Sequence, residues 1–415
     1  MPKTPHTKGL DETLALLADP YRFISRQCQR FGANAFETRV MLKETTCLKG
    51  AEAAELFYDA TRFKREGAMP AAIQKTLLGQ GGVQGLDDEG HRHRKQMFMS
   101  LMAPKRVRAL GQLFEAEWRR AAQGWAGRGE IVLYDELHEP LTRAVCAWAG
   151  VPLADDEASN RAGELRALFD AAGSASPGHL WSRLARRRVD AWAARIIEDV
   201  RTGSIGPGPE TAAYAVAWHR DHTGDLLSPH VAAVELVNVL RPTVATAVYI
   251  TFVAHALQLY PEARAALAQQ PDYAELFVQE VRRFYPFFPA VVARARQDFE
   301  WEGVAFPEGR QVMLDLYGTN QDSASWGDPE AFRPERFRTW NGSAFDFIPQ
   351  GGGDHHLGHR CPGEWIVVEI MKVAARLLVS SMCYDVPEQD LSIDFSRLPA
   401  LPKSGFLMRN VHMGG

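Results

Sequence analysis

The chain has 415 residues, 46% hydrophobic and 24% charged, so it can bury a large core and is not apolar-poor as a disordered chain would be. Lys and Arg number 47 against 51 Asp and Glu, and the net charge of −4 excludes a global basic field for nucleic acid. Five scattered cysteines (Cys28, Cys47, Cys146, Cys361, Cys383), with no C-x-x-C, point to a reducing compartment rather than a disulfide framework.

The opening Met1-Pro2-Lys3-Thr4 leads into an acidic, helix-like run with neither a secretory apolar region nor a membrane anchor, so a cytoplasmic protein is expected. Apolar periodicity then predicts helices over Asp11–Gln29, Glu52–Asp59, His91–Gly127, Glu136–Ala149, Asp156–Ala172, His179–Thr202, Ser228–Leu259, Pro261–Gln269 and Asp272–Tyr285. A last helix runs from Glu364 to about Met382. Strand-like alternation falls near Ala35–Leu48, Phe299–Phe306, Gln311–Tyr317 and Leu391–Met413, and Gly203–Glu210 reads as a surface loop. No repeat or linker divides the chain. The expectation is a mainly α fold, a large helical domain with a small β-rich portion, forming one domain over residues 1–415.

Ser228–Leu259 is the most informative of these runs. Ser228 is a good N-cap and Pro229 suits the first helical position. The second half is apolar on every face, which marks a helix through the middle of a core. Its longest apolar stretch, Val244 to Tyr260, is interrupted by Thr246, Thr251, His255 and Gln258, and so is read as short of a membrane span. Inside the run stands Arg241-Pro242. Proline removes a backbone donor and clashes with the carbonyl of Asn238, so a kink is expected. Arg241 has no carboxylate three or four residues away, and a buried guanidinium must find an anion. That anion is either a carboxylate from another element or a ligand.

A second locus is the glycine-rich run from Phe345 to Cys361, which leads directly into the Glu364 helix. A cysteine before a helix N-terminus, beside Arg360 and His359, has its thiolate favoured by the dipole and the cations. Nucleophile, metal ligand and inert thiol are all open to it. A zinc site of His355, His356, His359 and Cys361 is disfavoured, because Gly351–Gly353 and Gly358 make the segment a loop.

Three separated motifs occur in one order. Glu280-Val-Arg-Arg283 resembles an E-x-x-R helix motif, Phe332-Arg-Pro-Glu-Arg336-Phe337 a P-E-R-F segment, and Gly358-His-Arg-Cys361-Pro-Gly363 a cysteine loop. Glu280 and Arg283 share a helix face, and Arg336 would complete a buried cluster that fixes the loop. On these motifs the chain resembles the haem-thiolate cytochromes P450 over nearly its whole length. The resemblance implies haem b, with Cys361 as the axial iron ligand. It also implies His91, Lys95 and His359 beside the haem propionates.

Two departures narrow the likeness. Phe347 and Cys361 lie 14 residues apart, a longer loop than the family's usual one, and Arg241-Pro242 stands where an acid–alcohol pair is usual. Both features resemble the bacterial fatty-acid peroxygenases, above all the α-hydroxylating ones. That implies a long-chain fatty acid whose carboxylate sits on Arg241, with hydrogen peroxide as oxidant and no redox-partner protein. A planar carboxylate matches the guanidinium fork, and could accept a proton from peroxide and return it to the leaving oxygen. Gln84 resembles a distal-pocket position, and Leu78, Phe287 and Phe288 resemble walls for an alkyl chain. A reductase-dependent monooxygenase is the alternative in the same fold, weakened by the missing acid–alcohol pair. A non-catalytic haem sensor is the alternative from another class, and no appended signalling domain is visible.

Overall fold

Helices carry most of the chain, and proline decides where several of them stop. The structure, a computed structural model, describes residues 4–170, 177–270 and 272–414. The predicted Asp11–Gln29 helix is two, Thr13–Ala18 and Phe23–Phe31, parted around Asp19-Pro20, where the ring has no N–H to give. The His91–Gly127 prediction divides likewise into Asp88–Ser100 and Pro104–Trp125. Pro104 takes the first turn of the second helix and holds Ala103 out of the α region. Glu136–Ala149 becomes Leu133–Glu136 and His138–Ala149. Asp156–Ala172 is observed as Ala158–Asp170, and its last residues, 171 and 172, lie outside the described residues. Ala212–Trp218, capped by the Thr211 side chain, was too short to stand out as a periodic run.

The central run also divides, into Pro229–Val244 and Thr246–Leu259. Ser228 caps it as expected, accepting from Val231 N–H at 3.3 Å. Pro242 lies inside the first helix and the break falls at Ala245, one turn later. The two together are long and apolar enough to cross a membrane, contrary to the shorter span read from the polar interruptions. Yet 94% of their most apolar window is buried inside the protein, and Thr243 and Thr251 satisfy their buried hydroxyls on backbone carbonyls one turn back. One large apolar core, drawing on residues from Val83 to Val411, surrounds this helix pair.

The β portion is larger than expected. Ala35–Leu48 is a hairpin of Ala35–Val40 and Lys43–Leu48, turned at Met41 and Leu42, both with positive φ. Lys43–Leu48 runs parallel to Gln311–Asp315, which pairs with an unforeseen strand, Ala290–Ala295, and Phe63–Lys64 closes the five-stranded sheet. Phe299–Trp301 and Val304–Phe306 form a second hairpin. Of the Leu391–Met413 run, Ile393–Asp394 and Leu401–Pro402 pair with each other, and Leu407–Met413 joins Glu130–Val132 and Met382–Asp385. The last helix stops at Arg376 and widens into a π turn to Ser381.

Candidate active site

The cysteine loop is held from beneath by charged side chains buried with their partners. Arg283 grips Glu280 with two bonds of 2.8 Å, and Arg336 Nε lies 3.2 Å from the same carboxylate. Arg283 also donates to the carbonyl of Asn320, whose side chain accepts from Ile348 N–H at 2.8 Å. The cluster thus reaches the loop in one step. A second buried carboxylate, Glu364, is paired with Arg282 and with Arg360 at 2.6 Å. Burial pulls Glu364 upward, but the two guanidinium groups more than offset it and hold it below the ordinary range. Arg282 further donates to Gln350, whose carbonyl accepts from Cys361 N–H at 3.1 Å. The glycines matter here: a Cβ on Gly352 would stand 2.6 Å from Ile348 and 2.7 Å from the carbonyl of Ala344.

Cys361 corrects one electrostatic expectation. Burial pushes its thiol up, and nearby Glu364 adds to this, so the Gly363 N–H, Lys95 and Arg282 do not prevail. Lys95 is itself pushed down to about 8, chiefly by burial, and donates to the carbonyls of Gly358 and Arg360. His91 and His359 stack at 3.8 Å, and burial lowers both, to about 3 and about 4. His359 lies 3.7 Å from Asp87. His355 stacks instead on Trp365, at 4.1 Å, and no group of three metal-ligating side chains converges among the described residues.

Above Cys361 lies a cavity of about 300 Å³. Its lining includes Cys361, His91, Lys95, His359, Gln84, Asn238, Arg241 and Pro242, with Leu78, Phe287 and Phe288 among its apolar walls. Four cationic side chains (Arg65, Lys95, Arg241, Arg360) line it, and no carboxylate does among the described residues. Glu280, Arg283 and Arg336 stand apart, behind the loop. Arg241 is 6% exposed, and its Nη1 is buried with no hydrogen-bond partner among the described residues. Burial, with Arg186 nearby, pushes it down to about 9, which leaves it cationic at neutral pH. Among the described residues no carboxylate pairs with it, and Glu235, six residues earlier, is taken by Arg94 at 2.8 Å.

Several lining residues had no sequence signal. Arg65 comes from the edge strand region and Tyr58 from the end of a helix, and only the sheet brings them to the loop. Asn238 stood out in the sequence only as the carbonyl facing Pro242, whereas its side chain lines the cavity.

A family model for cytochrome P450 matches residues 262–406. Among curated relatives, cytochrome P450 71A8 of Mentha piperita is 31% identical over 138 residues, 32% of this chain and 27% of the relative. The chain thus matches about a quarter of that relative's length. Solved structures match throughout. Cytochrome P450SP alpha, in complex with (R)-ibuprophen, is 82% identical over 98% of this chain and 100% of that one, with a TM-score of 0.97. Cytochrome P450EX alpha with myristic acid is 44% identical over 100% of both chains, with a TM-score of 0.96. A cytochrome P450 OleT variant in complex with arachidonic acid is 38% identical over 100% of this chain and 99% of that one, with a TM-score of 0.96. The chain belongs to the cytochrome P450 family and, within it, to the fatty-acid peroxygenase subgroup. The family implies a haem, and the residues fit one: a single thiol faces a cavity that has apolar walls for a flat macrocycle and cations for its carboxylates.

Proposed function

We propose that this protein hydroxylates long-chain fatty acids with hydrogen peroxide, at the carbon beside the carboxylate, while Arg241 holds that carboxylate. The observation that carries this reading is the buried, unpartnered Nη1 of Arg241 in a cavity with no carboxylate among its described lining residues. A fatty acid supplies what the guanidinium lacks, two coplanar oxygens for its fork, so ligand binding removes the cost of an unpaired buried charge. The fatty acids named with the two more distant solved relatives support the substrate class. Leu78, Phe287 and Phe288 take the alkyl chain, and Phe287 is held in place by stacking on Tyr249 at 4.2 Å.

Cys361 is the residue to bind haem iron, with His91, Lys95 and His359 beside the propionates; once bound, haem b supplies the activation of peroxide. Fixed by Arg241, the substrate carboxylate takes the general acid–base role that no protein carboxylate occupies, accepting a proton from peroxide and returning it to the leaving oxygen. The same anchor sets regiochemistry, because it holds the carboxyl end rather than the chain end on the Cys361 side. Pro242 contributes shape, and Gln84 faces the same space.

The test compares a fatty acid with its methyl ester under peroxide. The ester lacks the anion and should turn over slower by roughly a hundredfold or more, the usual scale of general acid–base catalysis. Arg241→Ala should show a similar loss with the acid while still loading haem. Arg241→Lys, which keeps charge but not the fork, should fall between. Equal rates for acid and ester in well-folded protein would overturn the reading.

A further inference from the structure

Arg241 belongs to a polar line along its helix. Glu235, Asn238 and Arg241 follow at three-residue steps on Pro229–Val244 and so share one side of it. Glu235 is fully buried and accepts from Arg94 Nη1 at 2.8 Å, from Asn238 Nδ2 at 2.9 Å and from the backbone N–H of Val83. A carboxylate can only accept, so the amide of Asn238 must turn its NH2 toward Glu235. The same Nδ2 lies 3.3 Å from Gln84 Oε1, which is thereby occupied. Gln84 is left to offer its own NH2 to the cavity. Turned the other way, Asn238 would set its carbonyl oxygen against Glu235 and Gln84 Oε1, acceptor against acceptor.

We infer that Glu235 is a positioning residue that sets the hydrogen-bond polarity of the cavity: through Asn238 it orients Gln84 so that this wall, like Arg241, offers donors. The inference rests on the carboxylate proposed at Arg241, because a further donor in a cavity that holds a guanidinium favours an anion over a neutral head group. Burial raises Glu235, the bonds from Asn238 and Arg94 oppose that rise, and Val83 N–H ties the short helix that carries Gln84 to the same carboxyl group. A second buried guanidinium, on Arg186, lies near Arg241. It is already paired with Asp190 at 2.8 Å, so it does not compete for the ligand.

The experiment measures binding of decanoic acid and of 1-decanol to the haem-loaded protein by calorimetry, with thermal unfolding run in parallel. The unmodified protein should prefer the acid. Glu235→Gln gives Asn238 a donor to face, which reverses its amide, and should weaken acid binding about tenfold while changing alcohol binding by less than about twofold. Asn238→Leu cuts the relay but leaves the Arg94–Glu235 pair whole, and should lose the acid preference to a similar degree. A merely structural role would lower the unfolding temperature and weaken both ligands alike. Retention of the acid preference in a well-folded variant would overturn the inference, and should Glu235→Gln fail to fold, Asn238→Leu decides alone. If the unmodified protein has no acid preference, the Arg241 reading fails first and this inference falls with it.

Discussion

Single side chains in this protein are governed by whether burial leaves them a partner. Arg241 and His138 are both buried with a nitrogen that has no partner among the described residues, and they respond to it differently. Arg241 stays charged and lines a cavity, where the proposed substrate carboxylate would be its partner. His138 is packed against Tyr134 and Phe169 and is lowered to about 4, by burial first and by Arg166 second. Its unfolded value is near 6.5, so the native state binds fewer protons than the unfolded chain between these limits. The stabilisation is present above about 6.5 and is lost as pH falls through about 4, at a cost of about 3 kcal/mol. His138→Phe should therefore flatten the fall in stability over that window, as urea unfolding at neutral and acid pH would read. An unchanged acid slope would show that this imidazole does not contribute.

Elements are joined at the site by ion pairs whose partners arise far apart in the chain. Glu280 on Tyr273–Phe284 binds Arg283 on its own helix and Arg336 on the Pro334–Arg338 turn, and the backbone N–H of Arg333 as well. All three side chains are nearly or wholly buried, so neutralising the shared acid leaves two guanidinium groups without their counter-charge. Glu280→Gln should cost about 3–5 kcal/mol. Glu275→Gln, at a half-exposed pair with Lys372, should cost about 0–1 kcal/mol. Denaturant unfolding of the haem-loaded protein separates the two, and equal effects would mean the cluster is not what braces the loop. Three motif residues place this cluster from sequence, because its helix face and its order along the chain are both visible in one dimension. The parallel Glu364–Arg282–Arg360 brace is not legible there, since Arg282 stands in the sequence only as the interior of the E-x-x-R motif.

At the scale of the whole molecule, the cavity lies where the central helix pair, the cysteine loop and the five-stranded sheet meet. It gathers four cations without a carboxylate among its described lining residues. Delivery of protons to bound oxygen by the protein itself would need an acid there. Peroxide carries its own protons and oxidising equivalents, so under the proposed reading the substrate carboxylate need only relay a proton and no protein acid is required. Peroxide with a fatty acid should therefore sustain turnover, whereas nicotinamide with generic redox partners, assayed with catalase present, should give only traces of product. Robust product under the second condition would sink the peroxide-dependent reading.

What the amino-acid order determined alone is whatever is local or ordered along the chain: the Ser228 cap, the apolar central helix, the E-x-x-R spacing and a lone cysteine in a glycine-rich loop. Proline punctuation at Pro20 and Pro104 was equally local, yet the apolar periodicity running through it masked the breaks. Sheet partners such as Ala290–Ala295 and the cavity positions of Arg65 and Tyr58 were beyond it, because strand pairing and convergence depend on contacts between residues far apart in the chain, Phe63 and Ala295 among them. Only the tertiary structure shows that no carboxylate stands among the described residues lining the cavity at Arg241. Whether its anion is a protein side chain or a ligand turns on which carboxylates reach the cavity, and Glu235, the nearest on its own helix, is spent on Arg94.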